Sequence, residues 1–150
     1  MPRYPMLIAS LILVALAAGA ALVWAQQPPA VESPTADGPT KLAVLWTSGD
    51  PDVAHRMALM YAHFAKTSDW FEEVELIVWG PSQRLLVGDH SLQEKLAEMQ
   101  ADGVITRACI VCANTFGIAE ELRALDLEVL PMGGPLTEYL KSPEWEVLTL

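Results

Sequence analysis

The stretch Leu42-Ala43-Val44-Leu45-Trp46, followed by Thr47-Ser48-Gly49-Asp50-Pro51-Asp52, decides the fold. A short unbroken apolar run is a strand covered on both faces, and the polar loop after it opens a helix. Asp50 suits the N-cap, Pro51 the first turn, and Asp52 the positive end of the helix dipole. Val53, Met57, Met60, Tyr61 and Phe64 then recur at helical spacing and read as the buried stripe.

The same alternation continues along the chain. Val74 to Trp79, apolar except for Glu75, is a second strand stopped by Gly80-Pro81, and a short helix follows over Ser82 to Val87. Ser91 and Glu94 form a capping-box pattern for a helix with Leu92, Leu96 and Met99 on one face, ended by Gly103. Val104 to Cys109 reads as a third strand, and Asn114 or Thr115 opens a helix carrying Ile118, Leu122 and Leu125. Leu127 to Leu130 is a fourth strand, Pro135 to Leu140 a helix, and Glu146 to Leu150 a fifth strand. Strands alternating with helices imply right-handed crossovers and an α/β, mainly parallel sheet with helices on both faces. Ligands of such sheets bind at the carboxyl ends of the strands. That end gathers Thr47 to Asp50, Trp79 to Ser82 and Cys109 to Asn114, with Met132 to Gly134 at its edge.

Outside this unit the chain changes character. Residues 6–25 hold 18 apolar side chains in 20 positions, behind Arg3 and ending Val23-Trp24-Ala25. That is the order of a secretory signal over residues 1–25, with an uncleaved anchor as the other reading. Either places the remainder in the periplasm or otherwise outside the cytoplasm. Residues 26–40, with Pro28, Pro29, Pro34 and Pro39, form a tether. The folded unit is then 41–150. Beyond residue 25 the chain carries 8 basic and 19 acidic residues, net −11, which repels nucleic acid and anionic membrane surfaces.

The reactive feature is Cys109-Ile110-Val111-Cys112. Cys112 ahead of a helix start would have its thiolate stabilised by backbone N–H groups, and Cys109 stands close enough to resolve a sulfur adduct. Two small buried residues or a structural disulfide is the plainer reading. No metal site is expected, because His55, His63 and His90 lack ligand spacing. No cofactor is expected either, because Asp50 and Asp52 would repel a phosphate at the first loop. Glu72, Glu73 and Glu75 read as a solvated strand entrance, and Trp70 and Phe71 as core. Trp79 is either a crevice wall or a packing residue.

Leu45-Trp46-Thr47-Ser48-Gly49-Asp50-Pro51, Ile77-Val78-Trp79-Gly80-Pro81-Ser82, Val111-Cys112-Ala113-Asn114-Thr115 and Met132-Gly133-Gly134-Pro135-Leu136-Thr137-Glu138-Tyr139-Leu140 together resemble the DsrE/DsrF-like family across residues 41–150. The resemblance implies a three-layer α/β/α, flavodoxin-like fold with a five-stranded sheet, assembled as homotrimers or hexamers. It also implies sulfur relay, in which a cysteine carries a persulfide between a donor and an acceptor protein. Cys112 matches that cysteine, and Cys109 matches the additional cysteine of a C-x-x-C subset. An export signal sets this chain apart from the cytoplasmic relay members. The expected site is Cys112 and Cys109, with Ser48, Gly49, Asp50, Trp79, Asn114, Thr115 and Gly133 shaping the crevice. Two rival functions stand beside it: a non-catalytic oligomeric binding module with a structural disulfide, and a thiol–disulfide oxidoreductase.

Overall fold

The computed structural model describes residues 38–150, so the export segment 1–25 and residues 26–37 of the tether lie outside the described residues. Five strands, β1 (Lys41–Trp46), β2 (Glu73–Val78), β3 (Ile105–Cys109), β4 (Glu128–Leu130) and β5 (Trp145–Thr149), form one sheet in the order β4-β3-β2-β1-β5. Every pairing is parallel; Leu42 lies beside Val74 and Glu146, and Ile77 beside Arg107. The fold is thus the three-layer α/β class expected, with an all-parallel sheet.

Helix α1 runs through Pro51–Val53, a π-helical segment Ala54–Ala58, and Leu59–Thr67. Then come α2 (Pro81–Gly88), α3 (His90–Ala101), α4 (Ile110–Phe116), α5 (Ala119–Ala124) and α6 (Gly133–Lys141). From β1 to β4 the strands step in one direction, and the last crossover returns past β1. Right-handed connections put that return on the opposite face of the sheet. The two faces therefore differ. One packs Leu42, Val44, Trp46, Val74, Leu76 and Val78 under α1 to α5, and the other packs Ala43, Ile77, Cys109 and Met132 under α6.

Four local expectations are corrected. Asp50 caps α1 as expected, its carboxylate accepting from the Asp52 and Val53 N–H groups at 2.8 and 3.3 Å. The buried side of α1, however, is Ala54, Ala58, Leu59, Ala62 and Ala65, while Met57, Met60, Tyr61 and Phe64 are exposed. The alanines also recur at helical spacing, and their small side chains let the helix approach the sheet closely. Helix α3 is capped by Asp89 rather than by Ser91, with the Ser91 and Leu92 N–H groups donating to it. Helix α4 begins at Ile110 instead of Asn114 or Thr115, straight from the end of β3. Finally, Glu75 is no part of a solvated entrance: it is fully buried in the sheet, facing α6.

Candidate functional site: a thiol pocket at the carboxyl end of the sheet

The turn after β2 builds the floor of the site. Gly80 sits at φ 71°, ψ −134°, a region open essentially to glycine alone, and directs the chain into α2. The next two polar residues are buried and tie three strand ends together. Ser82 Oγ donates to the Trp46 carbonyl at 2.7 Å, and Gln83 Nε2 donates to the carbonyls of Val78 and Cys109, each at 3.0 Å. Buried polar groups with such partners fix one arrangement, because leaving a buried donor unpaired is costly. The end of β3 is thereby held, and with it the positions of Cys109 and Cys112.

The two sulfurs face a pocket of about 370 Å³ lined by Trp79, Cys109, Val111, Cys112, Pro131, Met132, Gly133 and Gly134. Its lining carries no charged side chain among the described residues. Cys109 is buried at 3% exposure, Cys112 is half-buried, and both are free thiols. The expected lowering of the Cys112 pKa is overturned. Burial in this apolar surround pushes the thiol up, the Gly80 N–H works against that shift, and the neighbouring Cys109 adds to it. Cys112 occupies the third position of α4, inside the helix rather than ahead of it.

Of the other expected crevice residues, Trp79 and Gly133 line the pocket, and Trp79 is therefore a wall. Ser48, Gly49 and Asp50 do not. Ser48 Oγ accepts from the Asp50 N–H at 3.1 Å in the turn that caps α1, and a side chain on Gly49 would meet Pro81 Cβ at 3.3 Å. They brace a neighbouring loop. Asn114 and Thr115 lie exposed on α4, with Thr115 Oγ1 donating to the Val111 carbonyl at 2.8 Å. The distinction is one of side-chain direction: both loops reach the carboxyl end, but only one turns its residues toward the cysteines.

Sequence reasoning missed a polar cluster on the same face as the pocket. Arg107 Nη1 donates to Glu75 Oε2 at 2.5 Å and to Tyr139 Oη at 2.7 Å, and its Nε donates to Glu128 Oε2 at 2.8 Å. Tyr139 Oη donates to Glu75 Oε2 at 2.8 Å. The signal was present in the sequence: one Glu inside an apolar strand and one Arg inside another. The histidines stand apart from the pocket. His63 is buried between Asp102 at 2.6 Å and Lys95 at 2.7 Å. Among the described residues no cluster of three or more His, Cys, Asp or Glu is placed to hold a metal ion.

No family model and no curated protein matches the chain. Among solved structures it is similar to the conserved protein of unknown function BT1422 from Bacteroides thetaiotaomicron, with 36% identity and a TM-score of 0.70. The match covers 74% of this chain and 95% of the other.

Proposed function

The chain belongs to the same family as the BT1422 protein, and from that premise and the site we propose that Cys112 accepts and carries sulfane sulfur as a persulfide. The observation that carries the reading is the pair of free thiols facing one apolar pocket. The Cys112 thiolate attacks the outer sulfur of a donor persulfide R–S–SH. A new S–S bond forms on Cys112, the donor S–S bond breaks, and its electron pair leaves on RS⁻. Deprotonated Cys109 can then attack Cys112 Sγ, forming the intramolecular disulfide and releasing HS⁻. A dithiol reductant returns the pair to free thiols. The adduct would lie against the apolar walls of the pocket, Trp79 and Met132 among them.

Intact mass after exposure to an organic persulfide tests this. A gain of one sulfur atom that reductant removes, and that Cys112→Ser abolishes, is the expected result. Loss of two hydrogens before any sulfur donor is added, unchanged by the donor, would put the structural disulfide first.

The resemblance to the DsrE/DsrF-like family supports assembly as a trimer or a pair of trimers. So does the exposed row of Met57, Met60, Tyr61 and Phe64, beside a groove of about 350 Å³ that Leu148 and Leu150 complete. Apolar patches of this kind mark association surfaces. Sedimentation should give a multiple of three, and a monomer at micromolar concentration would refute it. Export rests on residues 1–25 alone. N-terminal sequencing of protein recovered outside the cytoplasm should begin at Gln26, and Met1 in a membrane fraction would make the segment an anchor.

A further inference from the structure

We propose that Tyr139, held by Glu75 and Arg107, is a positioning residue that keeps α6 closed over the buried thiol Cys109. The functional weight of this latch rests on the persulfide reading; the closure itself does not.

Helix α6 is held lightly. None of its own residues, Gly133 to Lys141, is fully buried, and it packs on the sparser face of the sheet. Its first two residues, with Pro131 and Met132 before them, form one wall of the thiol pocket. Six residues on, about 9 Å along a helix rising about 1.5 Å per residue, stands Tyr139. A short helix moves as a rigid body, so whatever fixes Tyr139 fixes the wall.

Tyr139 is fixed in two ways. Its ring stacks on Trp145 with centroids 4.1 Å apart and planes 23° from parallel. Its hydroxyl donates to Glu75 and accepts from Arg107. Burial, reinforced by Glu75, pushes that hydroxyl up to about 12, so it remains a donor throughout the physiological range. Glu75 is the unusual member. It is wholly buried on a central strand, and its second carboxylate oxygen, Oε1, has no partner among the described residues. Packing alone would be served as well by an apolar side chain, since buried ion pairs seldom out-stabilise one. What a buried carboxylate adds is a demand for partners in one geometry. Here one of those partners sits on the wall of the pocket.

The test uses the full chain in a Cys112→Ser background, which leaves Cys109 as the single thiol. N-ethylmaleimide labelling then reads how often the wall opens. Tyr139→Phe keeps the ring stack and removes the hydroxyl; labelling should accelerate roughly tenfold, the scale of one hydrogen bond to a charged group. Leu140→Ala, at an exposed position of α6, should leave the rate unchanged. Hydrogen exchange in Tyr139→Phe should quicken in α6 and not in β1 or β2. Glu75→Gln provides a second route if the first variant folds poorly, and it too should speed labelling. Unchanged labelling in both variants, or exchange quickened equally across the whole sheet, would overturn the latch. Failure of wild-type Cys112 to take up sulfur would sink the persulfide reading and leave these labelling results standing.

Discussion

Two neighbours on β2, Leu76 and Ile77, are equally buried and point to opposite faces of one sheet, yet they live in different surroundings. Leu76 lies in a continuous apolar core beneath α1 to α5. Ile77 belongs to a patch of four buried residues under α6, beside the two thiols and the Glu75–Arg107–Tyr139 cluster. The larger apolar core lies on the first face, and the two thiols with the fully buried carboxylate lie on the second. Crowding five helices on one side and a single short one on the other follows from strand order alone. It leaves the sparser face free to hold groups that a dense core would exclude.

The largest expected effect comes from truncating each neighbour in turn. Leu76→Ala should cost about 2–5 kcal/mol of unfolding free energy, because the dense core cannot collapse onto the void. Ile77→Ala should fall at the low end of that range, since α6 can settle inward. Urea midpoints with unchanged slopes measure both. An Ile77→Ala loss equal to or larger than that of Leu76→Ala would erase the difference between the faces.

The strands were legible because β1 and β2 are largely apolar runs, and the others follow from short apolar-rich segments between helical stretches. The path of α1 was legible too, but not its orientation. Its large apolar residues and its alanines both recur at helical spacing, and only packing shows that the sheet takes the alanines. The pair Cys109 and Cys112 was legible from spacing; Trp79 and Gly133 were expected at the crevice from their place at strand ends, with packing left open for Trp79, and both line the pocket. Three things were hidden. Glu75 follows Glu72 and Glu73 and so looked like more of the same surface, although Val74, Leu76, Ile77 and Val78 beside it are all buried. Ser82 and Gln83 look like ordinary helix residues until their side chains are seen to tie strand ends. Direction was the third: Ser48, Gly49 and Asp50 reach the right end of the sheet and turn toward a different loop.

A smaller effect is expected at Gly80. An added Cβ meets no atom within 4 Å, so the penalty is purely conformational. Gly80→Ala should therefore cost about 1–3 kcal/mol, the scale of forcing a side chain into that region. Because this turn holds both the Ser82 and Gln83 ties, Cys109 labelling should rise along with the loss of stability. A neutral effect on stability would mean that the turn relaxes to an ordinary conformation.

Glu75 gives the sparser face a pH signature of its own. Burial raises its carboxyl above the ordinary 4.5, against the pull of Tyr139 and Arg107. The folded state therefore keeps a proton that the unfolded chain has released. Stability from this group is present below 4.5 and is lost as pH rises from there through the raised folded value. Glu75→Gln cannot titrate, so its stability should fall less than that of wild type over the same interval. Parallel stability curves for the two proteins would show that Glu75 titrates alike in both states.

The smallest effect is also the closest to function. Burial raises the Cys112 thiol above its ordinary 9.0, and the Gly80 N–H only partly opposes that. Thiolate is the reacting form, so iodoacetamide alkylation of Cys112 should still be climbing at pH 9 and should lag behind the urea-unfolded chain at every lower pH. The sign matters for the proposed chemistry. A thiol held protonated is protected from adventitious oxidation, and the small thiolate fraction present at neutral pH is the form that attacks the donor. Filling the pocket with an apolar thiol-free ligand should slow alkylation and move its pH profile further up, because it desolvates the thiol more. An alkylation plateau already reached at neutral pH would mean that the N–H groups around Cys112 outweigh its burial, and the sparser face would then be built to hold a standing thiolate.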